Sequence, residues 1–197
     1  MAIAYINGSK TDPTGSGATT VASPALSTTS GRLIIVAAYG LRVDYTGLSI
    51  TAVTDTAGNT YTEAASYTDG GVRQSIYYAY NITGNASNVV TVTFSQECLY
   101  RICAQHEYSG ALTTDPLDSA RNGTVGYGND LSTGATDSYY ANDMMFAFYT
   151  MNATPTFTAG DYVQLYCYTS APGYAYSYRN FRCLIGWDQM NALVTQD

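Results

Sequence analysis

Short segments of alternating polar and apolar residues run through the whole chain, and turn-forming residues interrupt them about every ten positions. Val, Ile, Thr, Tyr and Phe fill the segments, whereas Gly, Asn, Asp and Ser fill the interruptions. No long window repeats apolar residues at spacings of three and four, which is the pattern of an amphipathic helix. The chain is therefore predicted to be all-β.

The predicted sheets are antiparallel, because parallel strands need long crossover connections that are usually helices. Roughly ten to twelve strands fit one antiparallel two-sheet β-sandwich, jelly-roll-like, over residues 1–197. Within it, 7–31 is expected to be a flexible or edge-strand arm and 110–142 a loop-rich insertion. The predicted strands are 2–6, 18–26, 32–39, 49–54, 60–65, 74–80, 88–94, 99–108, 143–151, 161–169 and 181–187.

Two hairpins are predicted from the turn residues between neighbouring strands. Residues 49–54 and 60–65 flank the turn 55–59, in which Gly58 supplies a left-handed backbone position. Residues 74–80 and 88–94 flank a second turn at 83–85. Each pair is expected to be adjacent in one sheet.

Two predicted strands, 32–39 and 144–151, carry apolar residues on both faces. A strand that is buried on both sides needs a cover on its outer face. Either the 110–142 segment or a neighbouring subunit is expected to supply it. We therefore predict a homo-oligomer, or docking onto other virion or surface proteins.

The charge of the chain argues against two classes of partner. Only 12% of the residues are charged, and the net charge is −7. The seven arginines occur singly along the sequence, and there is one lysine. Nucleic-acid binding needs a cluster of cations, and an acidic chain is poorly matched to anionic membranes. The longest apolar run, residues 33–39, is too short to span a bilayer. We expect neither nucleic-acid binding nor membrane insertion.

Residues 1–10 lack the basic start and apolar core of a secretion signal. Two interpretations stay open. The chain is a processed form with an added Met1, or it reaches the outside without such a signal, as a virion protein does after lysis. Either way, we expect a virion-surface or extracellular location.

Two interpretations also stay open for the four cysteines, Cys98, Cys103, Cys167 and Cys183. Each fits a small buried side chain. Alternatively, Cys167 and Cys183 flank a loop at equal distances, so a simple hairpin would place them opposite each other and allow a disulfide. Their spacing matches no zinc site.

Several segments occur in a distinctive order: V-T-D-T-A-G-N-T-Y (53–61), I-Y-Y-A-Y-N-I (76–82), V-T-V-T-F-S (90–95), H-E-Y-S-G (106–110) and D-P-L-D (115–118). Together they resemble a family of β-sandwich modules found in phage structural proteins and bacterial secreted surface proteins. The resemblance covers roughly residues 30–118 and is weaker beyond. It implies a jelly-roll-like sandwich used for display, adhesion or decoration, and it implies no catalytic residues.

The chain offers little for catalysis. His106 is the only histidine, and strand alternation puts it on the face opposite Cys103, so the two do not form a nucleophile–base pair. Glycoside hydrolysis needs two carboxylates facing one sugar, yet only three separated glutamates occur, Glu63, Glu97 and Glu107. No catalytic residue is predicted.

No metal ligand is predicted either, and calcium remains an alternative without a defined site. Calcium takes oxygen ligands from loop carboxylates and carbonyls. Asp115, Asp118 and Asp130 lie in the loop-rich segment and Asp55 in a predicted turn, but none has the spacing of a known calcium loop. Ordinary turn aspartates are the alternative interpretation.

Twenty tyrosines are present, and five of them crowd the end of the chain: Tyr166, Tyr168, Tyr174, Tyr176 and Tyr178. Tyrosine provides rigid, amphipathic contact area. The cluster therefore fits a protein interface, a glycan-binding surface, or merely exposed strand aromatics. We expect a non-enzymatic structural component of a virion or extracellular surface assembly, such as a capsid decoration, fibre or tail-associated sandwich, with a carbohydrate-binding adhesion module as the alternative.

Overall fold

The computed structural model describes residues 3–11, 16–42, 44, 47–120, 122, 144–151, 163–167 and 182–189. The chain divides into two compact units, Met1–Gly123 and Thr124–Asp197. The single domain predicted over residues 1–197 stays a prediction. Within the described ranges, no helix has the length and apolar character needed to cross a membrane.

The described elements are all β-strands. In the first unit they are β1 (Ala4–Lys10), β2 (Ala18–Ala22), β3 (Leu26–Thr28), β4 (Leu33–Leu41), β5 (Ile50–Asp55), β6 (Thr62–Asp69), β7 (Val72–Ala79), β8 (Asn85–Asn88), β9 (Val90–Cys98) and β10 (Tyr100–Ser109). In the second unit they are β11 (Met144–Met151), β12 (Val163–Cys167) and β13 (Arg182–Gln189).

Two antiparallel sheets pack face to face in the first unit. The larger sheet has five strands in the order β1-β10-β4-β7-β6, and the smaller has three in the order β2-β9-β5. Strands β3 and β8 form a separate pair. The predicted all-β, antiparallel, two-sheet sandwich is therefore confirmed.

The core lies between the two sheets and follows from residue alternation. Along β9 every second side chain, from Val90 through Val92 to Phe94, is buried against the larger sheet. Strand β4 contributes Ile34 and Val36 from its inner face to the same core. Each such side chain stabilises the fold by about 1.5–3 kcal/mol through burial.

Strand β4 is buried along its whole length. Its inner residues belong to the core, and its outer residues, including Ile35, Ala37 and Tyr39, are equally inaccessible. The prediction that 32–39 is buried on both faces is thus confirmed. Because this burial is reached within a single chain, β4 does not by itself require a partner subunit. In β11, Phe148 is buried, while Met144 and Phe146 are half-buried.

Both predicted hairpins are wrong. Strand β5 pairs with β9 and β6 pairs with β7, so the turn 55–59 carries the chain from one sheet to the other. This five-residue link is held by hydrogen bonds to Asp55, so it can direct the chain into the other sheet instead of back beside β5. Similarly, β7 pairs with β4 and β6, whereas β9 lies in the smaller sheet, because β8 intervenes and pairs with β3.

A hairpin that the sequence analysis missed joins β6 to β7. Asp69 and Val72 are register partners, so Gly70 and Gly71 alone form the connection. Gly70 has a φ of 52°, in the left-handed region that glycine adopts at little cost. Two-residue links of this kind are the common way to join antiparallel neighbours.

The segment predicted as an arm, 7–31, supplies strand residues at sheet edges. Strand β1 forms one edge of the larger sheet and β2 one edge of the smaller. Pro24 lies between β2 and β3, where a missing backbone donor costs no sheet hydrogen bond. Of the predicted insertion 110–142, residues 110–120 contain no strand, and most of the remainder lies outside the described residues.

The second unit contains one antiparallel sheet in the order β11-β13-β12. Its strands overlap the predicted segments 143–151, 161–169 and 181–187, and β12 pairs with β13 as expected. The backbone register, which shifts after Gln164, places Leu184 rather than Cys183 opposite Cys167. The disulfide itself stays a prediction, because the side chains of both cysteines lie outside the described set.

Candidate functional site

Asp55 lies at the corner where the chain leaves the smaller sheet. Its Oδ1 accepts hydrogen bonds from the backbone amides of Ala57 at 3.1 Å and Asn59 at 2.9 Å. Its Oδ2 accepts from the side-chain amide of Asn59 at 2.8 Å, the hydroxyl of Tyr61 at 2.9 Å and the amide of Asn88 at 3.1 Å. We call this arrangement the Asp55 corner; it ties the link after β5 to the end of β8.

The electrostatics of the Asp55 corner fit a structural role. Burial alone would raise the pKa of Asp55, but the hydrogen bonds from Asn59, Tyr61 and Asn88 outweigh it and hold that pKa below its usual value. Burial, followed by the charge of Asp55, raises the pKa of Tyr61. The carboxylate of Asp55 is therefore ionised and the phenol of Tyr61 is neutral. The motif at 53–61 thus holds the turn together through hydrogen bonds.

The described aspartates do not form a calcium site. The oxygens of Asp55 are occupied by protein donors, and Asp115 and Asp118 are exposed on the surface. Asp130 lies outside the described residues. Within the part of the chain that the structure describes, no group of three or more His, Cys, Asp or Glu side chains is placed to hold a metal ion.

His106 and Cys103 point to opposite faces of β10, as the alternation predicted. The His106 ring lies 6.2 Å from the Tyr5 ring, whereas Cys103 belongs to the core between the sheets. Burial lowers the pKa of His106 to about 3 and raises the pKa of Cys103 to about 12. At neutral pH the imidazole is therefore uncharged and the thiol is protonated, which suits neither proton transfer nor nucleophilic attack.

The glutamates are engaged in separate contacts. Glu63 accepts a 2.5 Å hydrogen bond from Arg73, and buried Glu107 lies 3.3 Å from Arg32. Strands β6 and β10, which carry them, are three strand spacings apart, or about 14 Å. That separation exceeds the roughly 5–9.5 Å between the carboxylates of glycosidases. Glu97 is exposed.

Tyr78 and Tyr80 form an aromatic ledge on the outer face of the larger sheet. The intervening residue, Ala79, packs into the core, so the two tyrosines point the other way. Their ring centroids are 6.2 Å apart and their planes differ by only 24°. Tyr80 is 42% exposed. Burial, and then the charge of Asp115, raises the pKa of Tyr78.

Among the exposed large apolar residues of the described chain, Ile6 and Tyr80 lie near one end of the larger sheet, and Leu112 and Leu117 belong to the segment that leaves β10 at that end. The register pairs Tyr5 with Tyr108 and Tyr108 with Leu33, so β1 and β4 begin where β10 ends, beside the end of β7. We call the exposed residues here the apolar end; they are Ile6 at 40%, Tyr80 at 42%, Leu112 at 69% and Leu117 at 37% exposure.

The segment after β10 crosses towards the far edge of the larger sheet. It starts beside β1 and β4, and its Asp115 lies close to Tyr78 of β7. Further on, the Oδ1 of Asn122 accepts a 3.0 Å hydrogen bond from the backbone amide of Ser66 on edge strand β6. This favours the 110–142 segment, of the two predicted covers, for that part of the outer face.

The tyrosines singled out in the sequence are not those of the ledge. Tyr166 lies in β12, but its side chain is outside the described set, and Tyr168, Tyr174, Tyr176 and Tyr178 lie outside the described residues. Their role stays a prediction. Strand alternation in I-Y-Y-A-Y (76–80) already predicts that Tyr78 and Tyr80 share one face, but it does not show that Tyr80 is exposed.

Comparisons with protein-family models, with curated proteins and with solved structures find no match to this chain. The observed architecture agrees with the resemblance to β-sandwich display modules at the level of an all-β fold with antiparallel sheets. Membership of that family stays a prediction. Function must therefore be argued from the surfaces that the fold presents.

Proposed function

We propose that this protein is a non-enzymatic structural component of a virion or extracellular surface assembly, and that it associates with further copies of itself through the apolar end. The observation that carries the proposal is the exposure of Ile6, Tyr80, Leu112 and Leu117, of which the first two lie at one end of the larger sheet and the others on the segment that leaves it there. Single exposed apolar residues are ordinary on any protein, whereas a group of them is typical of an interaction surface.

Two further features support a structural role. The side chains most often used for catalysis, His106 and Cys103, are buried and uncharged at neutral pH. The surface carries few charges, with 12% charged residues in the whole chain. Low charge reduces the desolvation cost of covering a surface in an assembly.

Self-association is tested by light scattering across a wide concentration range. We expect the mass to rise above that of the 21.1 kDa chain as concentration increases. Replacing Leu112, which is 69% exposed, by Ser should weaken association at least about tenfold, since each copy loses a buried leucine worth about 1.5–3 kcal/mol. The neighbouring exposed change Thr113→Ala is the matched control and should have no effect.

A wild-type chain that stays at its monomer mass over the whole range would contradict self-association. Equal weakening by Leu112→Ser and Thr113→Ala would place the contact elsewhere than the apolar end.

Sugar binding is the second candidate function. In the described chain it is favoured by the near-parallel pair Tyr78 and Tyr80, one of which is well exposed. The cluster from Tyr166 to Tyr178 is a separate candidate that stays a prediction.

A further inference from the structure

The aromatic ledge presents two nearly parallel tyrosine rings on the outer face of the larger sheet. Tyr78 and Tyr80 have planes within 24° of each other, so their ring faces point in nearly the same direction. Their centroids lie 6.2 Å apart, which is close to the spacing of alternate residues along one strand. Because 42% of Tyr80 is exposed, part of the ledge is open to solvent.

Polar groups border the ledge. Thr62 is the register partner of Tyr78 and is exposed on the same face. Asn81 directly follows Tyr80 and is exposed, and the charge of Asp115 raises the pKa of Tyr78. The ledge is thus an aromatic surface with amide, hydroxyl and carboxylate groups around it.

Two of these polar residues are held in an unusual backbone conformation. Asn81 has a φ of 49° and Asp115 a φ of 44°, and they are the non-glycine residues of the described chain with positive φ. Such positions cost conformational energy, although Asn and Asp tolerate them better than other residues. Asn81 directly follows Tyr80 in the sequence, and the side chains of Asn81 and Asp115 are both exposed.

This combination matches the chemistry of a pyranose. The C–H bonds on one face of a sugar ring carry partial positive charge and pack on the negative face of an aromatic ring. Its hydroxyls donate to carboxylates and exchange hydrogen bonds with amides and hydroxyls. Two tyrosine rings offer far less area than the roughly 800 Å² per partner of a stable protein interface, so a small ligand fits the ledge better than a protein does.

Charge narrows the class of sugar. The charges that act on Tyr78 include that of Asp115, and the chain carries a net charge of −7. An anionic sugar, such as a uronic acid, would be repelled by this field. Neutral sugars would not be.

We propose that the Tyr78–Tyr80 ledge binds a neutral oligosaccharide, with sugar rings on the tyrosine faces and hydroxyls on Asp115, Asn81 and Thr62. This rests on the second candidate function, and because Tyr80 also belongs to the apolar end, sugar binding and self-association would compete for that residue. The proposal assigns the ligand to residues of the larger sheet, apart from the tyrosine cluster at 166–178.

The test is a titration of the full chain with soluble cellohexaose, xylohexaose and chitohexaose, with oligogalacturonate as the anionic probe. Saturation-transfer NMR and calorimetry should extend to about 10 mM, because a two-ring site is expected to bind weakly. We expect at least one neutral oligosaccharide to bind and the anionic probe not to bind. The Leu112→Ser chain should bind it at least as tightly as the wild type, because weaker self-association leaves Tyr80 more accessible, and this separates sugar binding from self-association.

Variants at Tyr80 distinguish ring stacking from general apolar contact. Tyr80→Phe keeps the ring and should bind within about twofold of the wild type, whereas Tyr80→Ala should bind at least about tenfold more weakly. Tyr80→Leu keeps apolar area without a ring face and should be as weak as Tyr80→Ala. Because Tyr80 is exposed and follows the strand, these variants should fold, which circular dichroism checks.

Three outcomes would overturn the proposal. They are the absence of binding by every neutral probe, wild-type affinity in Tyr80→Ala, and equal binding by Tyr80→Leu and Tyr80→Phe. The last would indicate an apolar docking surface for a polypeptide. If sugars fail while light scattering still shows association that depends on Leu112, the proposed structural function stands and only the ledge assignment falls.

Discussion

Replacing Asp55 by alanine should destabilise the first unit severely, because this one carboxylate accepts five hydrogen bonds. The donors differ in whether they can find another acceptor once the Asp55 carboxylate is removed. The backbone amides of Ala57 and Asn59 lie in a half-buried turn and can bind water instead. Asn88 is completely buried and Tyr61 is partly buried, and their polar atoms would lose this acceptor.

The size of the effect follows from those two buried donors. A buried polar group left without a partner costs about 1–3 kcal/mol, so two of them give about 2–6 kcal/mol. We expect Asp55→Ala to lower the free energy of unfolding by about 3–4 kcal/mol, a large part of the roughly 5–15 kcal/mol of a typical domain. Asp55→Asn keeps one acceptor oxygen and should lose about half as much.

Urea unfolding followed by circular dichroism measures the effect. The matched control is Asp69→Ala at the exposed end of β6, which should change the free energy of unfolding by less than about 0.5 kcal/mol. A loss below about 1 kcal/mol for Asp55→Ala, or equal losses for both variants, would refute the view that the Asp55 corner holds the two sheets in place.

The pH dependence of the free energy of unfolding provides a second test of the role of Asp55. The pKa of Asp55 is lower in the folded protein than its ordinary value of 3.8. A lowered carboxyl pKa stabilises the fold above the ordinary value, and this contribution is lost as pH falls through the folded pKa. The wild type should therefore lose more stability than Asp55→Asn does between about pH 5 and pH 2.

The remaining predictions concern buried groups and backbone packing. The single imidazole signal of His106 should not titrate between pH 8 and pH 5 in NMR, because burial lowers its pKa to about 3; a midpoint near 6.5 would contradict this. The unfolded state takes up that proton first, so His106 should lower stability as pH falls from about 6.5 towards 3. The Cys98 and Cys103 thiols, with pKa values raised by burial to about 11 and 12, should resist alkylation until urea unfolds the protein; rapid native labelling of their peptides would argue otherwise. Gly84→Ala should cost about 1–3 kcal/mol in urea unfolding, since its Cβ would lie 2.6 Å from the Ser30 backbone nitrogen, whereas Gly47→Ala meets nothing within 4 Å and should be neutral or slightly stabilising; equal effects would refute the packing.

Local patterns in the sequence predicted strand positions well but strand partners poorly. The continuous apolar run at 32–39 predicted that β4 is buried on both faces, because only a strand inside the structure can use apolar residues on both sides. The turn 55–59 carries residues that suit a hairpin and a sheet-crossing corner equally. The choice depends on Asn88, which lies 33 positions from Asp55, and local pattern contains no such information.

Buried polar groups were the other feature that the sequence did not reveal. Gln105 lies on the inner face of β10, where its Nε2 is 2.8 Å from the Ser23 hydroxyl and 3.0 Å from the Asn88 carbonyl. Gln105 shares this face of β10 with Cys103, as strand alternation requires. Alternation did not show that polar partners from β2 and β8 would meet Gln105 there, because such pairing is a property of the assembled sheets.

Hydrogen exchange at low and high protein concentration tests the proposed assembly most directly, because it reports where copies meet. If the chain associates through the apolar end, amides in residues 3–7, 80–82 and 110–118 should exchange more slowly at high concentration. Amides on edge strands β2 and β5 of the smaller sheet should not change. Identical exchange at both concentrations, or new protection confined to the smaller sheet, would contradict the account.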